Sequence, residues 1–215
     1  MIRAVLFDLD GTLHDRAETL KRYLKDHIER YGLHRHPGYA ERFVALDGHG
    51  YVGKREVFRQ LVDEFGLLHD PEVLFQDFSD HAWSDCAVML GAHEVLAQLR
   101  AAGLTLGLVS NGWSDKQRAC LIALQLEHAF DVVLVSEEVG VKKPDPRIYE
   151  LALDQLGALA GETLFVGDHP ENDVRGPKAV GMRTAFLGGA FELPPDLTPD
   201  HHLPSLSALI PVLEL

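Results

Sequence analysis

The sequence is poor in cysteine, and its two cysteines, Cys86 and Cys120, are far apart with no CxxC spacing. This argues against a disulfide framework and a zinc site, and it fits a reducing compartment. No apolar run approaches the roughly 18 residues that a membrane helix requires. The apolar start of the chain, residues 1–7, is too short for a signal peptide. We therefore expect a cytoplasmic protein with no membrane partner.

Basic residues are also scarce, because 20 Lys and Arg face 33 Asp and Glu, for a formal net charge of -13. Such a field repels nucleic acid and anionic membrane surfaces, so neither is an expected partner. A small anionic substrate would need a local cation at its site. The oligomeric state cannot be read from the sequence.

The 215 residues, with 46% hydrophobic and 25% charged residues, are typical of a globular protein with one large domain or a core with an insertion. Short apolar runs alternate with segments of helical length that carry the usual start and stop residues. The predicted strands are residues 3–8, 104–109, 132–136, 163–167 and 183–187. This order predicts an α/β fold with a doubly wound, Rossmann-like parallel sheet. We expect the tail 192–204 to be a surface loop before a short C-terminal helix.

The long gap between the first two strands contains no convincing strand. Helical spacing of apolar residues instead predicts helices at 15–31, 38–47, 54–65 and 71–82. A connection of this length indicates an inserted helical subdomain, in a position where a lid over a ligand would be useful. We therefore predict a catalytic core at 1–14 and 90–215, and a helical cap at 15–89.

Two carboxylates follow the first strand at a spacing that lets both side chains point the same way. Asp8 and Asp10 precede Gly11, which permits a sharp turn, and Thr12, which offers a hydroxyl and backbone N–H groups to an anion. Taken alone, this segment could be an ordinary Asp-Gly turn at a strand end.

The other strand ends also carry polar residues: Ser110 and Asn111, the lysine pair 142–143, and the acids at 168–173. Each has an ordinary explanation, such as a helix cap, a solvated lysine pair or an acidic helix start. Because carboxyl ends of parallel strands meet at one sheet edge, their convergence indicates a site for a phosphoryl group.

These segments resemble the motifs of the haloacid dehalogenase superfamily of hydrolases. The most specific are DLDGT at 8–12 and GDHPEND at 167–173, and the likeness extends over nearly the whole chain. The chain is most similar to the phosphatases with a helical, C1-type cap inserted after the first motif. The resemblance implies an enzyme that hydrolyses a small phosphate monoester with Mg²⁺ through an aspartyl-phosphate.

Catalytic roles follow from the same resemblance. Asp8 would attack phosphorus, and Asp10 would protonate the leaving oxygen and later deprotonate water. Lys143, rather than Lys142, would neutralise charge, and Ser110 and Asn111 would bind the phosphoryl group.

The resemblance also implies a magnesium site with oxygen ligands only. Its protein ligands would be the Asp8 carboxylate, the Asp10 backbone carbonyl and Asp168. Asp173 would bind metal-ligated water or orient Lys143. Thr12 would lie next to the ligands without binding the metal itself.

Three alternatives use similar residues. A phosphomutase or phosphotransferase would pass the phosphoryl group from the same aspartate to a sugar instead of water. A 2-haloacid dehalogenase has no use for Asp10 or a metal, and a receiver-like phospho-acceptor module has no use for the insertion. The sequence leaves open which ester is the substrate, how specific the enzyme is, and which cap residues set that specificity.

Overall fold

The computed structural model describes all 215 residues. The chain forms two compact units, one made of Met1–Asp15 with Ala87–Leu215 and the other of Arg16–Cys86. Backbone hydrogen bonds join Asp15 N to Ala87 O and Met89 N to Leu13 O, each at 2.8 Å. Residues 87–89 therefore belong to the first unit, whereas the predicted helical segment extended to residue 89.

The first unit contains one sheet of six parallel strands, in the order β3-β2-β1-β4-β5-β6. The strands are β1 Ala4–Phe7, β2 Thr105–Ser110, β3 Val132–Val135, β4 Thr163–Gly167, β5 Arg183–Leu187 and β6 His201–Leu203. Their residues are nearly all buried, as expected for a parallel sheet covered on both faces. The predicted α/β, doubly wound fold is confirmed.

Helices follow the strands in this unit. They are α5 Ala92–Ala101, α6 Ser114–Ala123, α7 Ser136–Val139, α8 Pro146–Leu156, α9 Gly176–Ala179 and α10 Leu209–Val212, numbered after the four helices α1–α4 of the second unit. None of the helices in the protein combines the length and apolar character that a membrane span requires.

The tail differs from its prediction, because residues 201–203 form the edge strand β6 and not a loop. Asp200 explains the pairing, since its carboxylate accepts hydrogen bonds from the backbone N and the hydroxyl of Thr184, both at 2.9 Å. This attaches the chain to the start of β5. A three-residue strand that begins with two histidines has too little apolar pattern to predict from sequence.

After β4, the sequence pattern of residues 171–180 predicts one helix that ends at Gly181, and the structure differs from this. Residues Pro170–Arg175 form a π-helical turn, and α9 follows as a separate short helix. The Nδ1 atom of His169 accepts from the backbone N–H groups of Glu171 and Asn172, each at 3.2 Å, and so caps this turn. Pro177 cannot donate a backbone hydrogen bond, which prevents one continuous α-helix.

Strand register brings three strand ends to one edge. Phe7 lies opposite Leu108 of β2 and Val166 of β4, so the chain leaves all three strands within two residues of this level. The sheet order changes direction between β1 and β4, which is where open α/β sheets bind ligands.

The second unit is helical. Its α-helices are α1 Arg16–Arg30, α2 Tyr39–Asp47, α3 Lys54–Phe65 and α4 Pro71–His81. Their inward faces form one apolar core that includes the fully buried Phe43, Phe58 and Leu61. The rings of Phe43 and Phe58 lie 5.3 Å apart with an edge-on arrangement that favours aromatic pairs.

A buried carboxylate, Asp77 of α4, ties α4 to α1. It accepts two hydrogen bonds from Arg30, at 2.8 and 2.9 Å, one from the hydroxyl of Tyr23 at 2.9 Å, and contacts His27 Nδ1 at 2.8 Å. Hydrogen bonds and the guanidinium lower the pKa of Asp77 despite the opposing effect of burial. The network satisfies polar groups inside an otherwise apolar unit.

We expect Asp77→Ala to lower the free energy of unfolding by about 3 kcal/mol, because it leaves Arg30 and His27 without their carboxylate. Asp80→Ala is the matched control, since Asp80 lies on the exposed face of the same helix and should change the value by less than about 0.5 kcal/mol. Urea unfolding measures both variants. Equal effects would contradict a structural role for the Asp77 network.

Candidate active site

A buried lysine joins two carboxylates at the edge of the sheet. Lys143 Nζ lies 2.7 Å from Asp8 Oδ1 and 2.8 Å from Asp173 Oδ1, and all three side chains are less than a tenth exposed. Burial by itself would lower the pKa of Lys143, but the negative charges of Asp173 and Asp8 raise it above its ordinary value. The lysine is therefore a permanent cation in this site. Lys142 is exposed, so the structure brings only the second lysine of the pair to the carboxylates.

Asn111, after β2, fixes the segment that carries this lysine. Its side-chain carbonyl accepts from Lys143 N at 2.8 Å, and its amide donates to Lys143 O at 2.9 Å. An asparagine can thus pair with a backbone as another strand would. The ammonium group is positioned by this clamp as well as by its ion pairs.

Asp168, after β4, completes a cluster of carboxylates. Oxygen atoms of Asp8, Asp168 and Asp173 lie within 4.8 Å of one another. Burial raises the pKa of Asp8 to about 7, against the effect of Lys143. Burial and then the charge of Asp8 raise the pKa of Asp168 to about 8. The ammonium group of Lys143 contacts two of these three carboxylates, so the cluster has more carboxylates than cations.

Glycines allow this crowding. A Cβ atom on Gly11, which has a φ of 86°, would collide with the carboxylate of Asp168. A Cβ atom on Gly167 would collide with the carboxyl group of Asp173 in the same way. These glycines are required where the two acidic segments approach each other closely.

Both carboxylate oxygens of Asp173 accept hydrogen bonds. Oδ1 accepts from Lys143, and Oδ2 accepts from the backbone N–H of His169 at 2.9 Å. Asp173 N in turn donates to His169 O at 2.8 Å. The capped π-helical turn therefore sets the direction of Asp173 toward the lysine.

Asp10 lies at the same edge but does not contact Lys143 directly. Its Oδ1 lies 2.6 Å from His14 Nδ1, and its Oδ2 accepts from Gln117 Nε2 at 2.9 Å. Neither of these partners is among the residues predicted from the sequence. His14 lies four residues after Asp10, so the sequence places the two residues close together. Nothing in the sequence distinguishes Gln117 from a solvated glutamine in α6.

Two hydroxyl groups complete the set of predicted residues. The Thr12 hydroxyl donates to Asp8 Oδ2 at 3.4 Å. Ser110 is fully buried, and its Oγ has no hydrogen-bond partner in the protein. A buried hydroxyl without a protein partner is available to a ligand or to an ordered water. The eight predicted site residues thus all lie at this edge of the sheet.

The donor set fits a hard divalent cation. Carboxylate and carbonyl oxygens are the ligands that Mg²⁺ takes, and no sulfur or imidazole ligand is needed here. A cation would also offset the carboxylate charges, which add to the larger effect of burial in raising the pKa of Asp8 and Asp168. The chemistry of the residues present is therefore compatible with the predicted metal.

Comparison with known proteins identifies the family. Residues 5–187 match the family described as haloacid dehalogenase-like hydrolase. The chain belongs to this family. It is 31% identical over 195 residues to a glyceraldehyde 3-phosphate phosphatase of Pyrococcus abyssi, covering 87% of this chain and 82% of that protein.

A second relative matches about half of this chain, and one solved structure matches all of it. A phosphoserine phosphatase of Thermus thermophilus is 42% identical over 110 residues, which are 51% of this chain and 44% of that protein. A crystal structure of the HAD-hydrolase YfnB from Bacillus subtilis, bound to magnesium, has a TM-score of 0.87 at 22% identity, covering 100% of this chain and 99% of that one. At this identity the structural match shows a common fold.

The raised pKa values predict how the stability of the metal-free protein depends on pH. The folded state keeps protons on Asp8 and Asp168 that the unfolded chain releases above its ordinary carboxyl pKa of about 4. The free energy of unfolding should therefore fall as pH rises from that value through about 7 to 8. Asp168→Asn should make the drop in Tm between pH 6 and pH 8 smaller by on the order of a few degrees.

Calorimetry in EDTA measures this drop. Asp154→Asn, on the exposed face of α8 in the same unit, is the control and should behave as the wild type. If the Asp168→Asn variant kept the wild-type pH dependence of Tm, the raised pKa of Asp168 would be contradicted.

Proposed function

We propose that this protein is a Mg²⁺-dependent phosphomonoester hydrolase that acts on a small phosphorylated metabolite. One observation carries the proposal: three buried carboxylates lie together, and the one ammonium group among them contacts only two, Asp8 and Asp173. Such a site repels a phosphate ester until it takes up a further cation, and with that cation it suits a transferring phosphoryl group.

The proposed magnesium ligands are the carboxylates of Asp8 and Asp168 and the backbone carbonyl of Asp10. When bound, the ion would supply charge neutralisation for the phosphoryl oxygens. Asp173 is not proposed as a ligand, because it pairs with Lys143 at 2.8 Å and with the backbone N–H of His169 at 2.9 Å. Its proposed role is to orient Lys143. The magnesium found with the similarly folded Bacillus subtilis hydrolase supports this choice of metal.

The first half-reaction forms a bond between an Asp8 oxygen and phosphorus while the ester P–O bond breaks. Asp10 gives its carboxyl proton to the leaving oxygen, so an alcohol departs and Asp10 becomes a carboxylate. Lys143 uses two of its three ammonium hydrogens for Asp8 and Asp173. The third can bind a phosphoryl oxygen.

The second half-reaction hydrolyses the aspartyl-phosphate. Water attacks phosphorus, Asp10 takes a proton from it, and the bond from phosphorus to the Asp8 oxygen breaks, which releases phosphate. The Ser110 hydroxyl donates to a phosphoryl oxygen in both halves. Asn111 can add its second amide hydrogen, because the first is used on the Lys143 backbone.

The substrate class is drawn from the relatives. One is a glyceraldehyde 3-phosphate phosphatase and another a phosphoserine phosphatase, so these two esters are the first substrates to assay. Dehalogenation is disfavoured, since halide leaves without a proton and Asp10 would then have no part in the reaction.

We expect the purified protein to release phosphate from p-nitrophenyl phosphate and from one or both of these esters, in a reaction that requires Mg²⁺. Asp8→Asn should abolish turnover because it removes the nucleophile, while Asp154→Asn should leave it unchanged. A malachite green assay for phosphate measures all three proteins. No release by the wild type, or release by Asp8→Asn equal to that of the control variant, would refute the hydrolase.

We expect Ser110→Ala to lower kcat by about a hundredfold, the usual effect of losing one preorganised donor to a developing negative charge. The folded state should not lose stability, because Ser110 Oγ has no partner in the protein. Steady-state kinetics with a melting curve separates the two quantities. A variant with a lower Tm and normal kcat would assign Ser110 to the fold and not to catalysis.

A further inference from the structure

Both oxygens of the Asp10 carboxylate are held from the side of the protein. His14 is completely buried and Gln117 is 7% exposed, while the Asp10 side chain is 27% exposed. The contacts with His14, at 2.6 Å, and with Gln117, at 2.9 Å, therefore fix the carboxylate through buried side chains. The Asp10 side chain itself stays partly exposed. Neither partner belongs to the carboxylate and lysine cluster.

The orientation of the Gln117 amide is set by its neighbours. Its nitrogen faces Asp10 Oδ2 at 2.9 Å and, more weakly, the backbone oxygen of Asn111 at 3.4 Å. Both neighbours accept hydrogen bonds, so the group that faces them must be the NH₂. The other amide atom, Oε1, is buried and has no partner.

The glycine at position 112 makes room for this amide. A Cβ atom on Gly112 would collide with Gln117 Nε2. The segment Ser110-Asn111-Gly112 thus has a second function in the site. Besides supplying polar side chains, it lets Gln117 approach Asp10 closely.

We infer that Gln117 is a positioning residue for the acid/base group Asp10, and that its free Oε1 accepts a hydrogen bond from the hydroxyl group that leaves or the water that attacks. The inference rests on the proposed hydrolase reaction. A general acid must come within hydrogen-bond distance of the leaving oxygen, so a carboxyl group free to rotate would be less effective. Oε1 belongs to the same planar amide as Nε2, so the contact between Nε2 and Asp10 Oδ2 also fixes the position of Oε1. An unfilled buried acceptor in that position suits a hydroxylic ligand.

The test uses the dependence of kcat/KM on the leaving group. A series from p-nitrophenyl to p-methoxyphenyl phosphate keeps the size of the substrate nearly constant while the leaving oxygen becomes more basic. The parameter kcat/KM includes the steps through departure of the phenol. Only a defect in proton donation makes it fall more for the basic leaving groups, whereas general damage to the site lowers all members equally.

We expect Gln117→Leu to increase the ratio of kcat/KM between the p-nitrophenyl and p-methoxyphenyl esters by at least about tenfold, toward the value of Asp10→Asn, since general acids contribute on the order of a hundredfold or more. Gln117→Glu keeps the size of the side chain but places an oxygen against Asp10, and should increase the ratio too. It also provides the test if the leucine variant does not fold. Gln155→Leu, the same change on the exposed face of α8, should retain the wild-type ratio.

A wild-type ratio in the folded Gln117 variants would overturn the inference, whether or not their overall rates fall. A wild type that releases no phosphate from any ester would instead refute the hydrolase reaction, and the role of Gln117 with it. The two failures are therefore distinguishable in one set of measurements.

Discussion

The contact of Lys143 with Asp8 and Asp173 is the interaction on which the rest of the site depends. Three charged groups are taken out of water, which is costly unless each is paired and hydrogen-bonded. Here the ammonium nitrogen of Lys143 lies 2.7 Å from an oxygen of Asp8 and 2.8 Å from an oxygen of Asp173. Removing the lysine would leave two buried negative charges unpaired. The same bridge fixes the direction of Asp8, the proposed nucleophile.

The surrounding structure holds this bridge through backbone contacts. Asn111 clamps the backbone of Lys143, and the π-helical turn capped by His169 presents Asp173. These contacts come from the ends of β2 and β4, on either side of β1. A shift of one strand by one residue would therefore separate the cation from a carboxylate. The rigid parallel sheet supplies the precision that positioned charges require.

The two aspartates of the DLDGT segment are held in different ways. Asp8 is buried in an ion-pair cluster, whereas Asp10 is partly exposed and contacts an imidazole and an amide. An aspartate that has to exchange a proton with a ligand would be hindered by a permanent cation at its carboxylate. The separation of Asp10 from Lys143 therefore agrees with the proposed division between nucleophile and acid/base.

The sequence by itself determined the sheet, the helical insertion and the list of polar residues at the strand ends. The spacing of apolar residues, and the glycines and prolines at which helices and strands begin or end, are local properties. They can therefore be recognised in a single sequence. Strand β6 was missed because its pairing depends on a partner elsewhere in the sequence, Asp200 with Thr184. The π-helical turn was missed although its cap, His169, is its neighbour, because imidazole is not among the usual capping side chains.

Only the tertiary structure decided how those polar residues pair. It paired the Asn111 side chain with the backbone of Lys143 and left the Ser110 hydroxyl without a hydrogen-bond partner in the protein. It also brought Gln117, 107 positions along the chain, to Asp10. Residue type and spacing indicate which groups a side chain is able to bind. Which partner it meets follows from strand order and register, because these set the distances between segments that are remote in sequence.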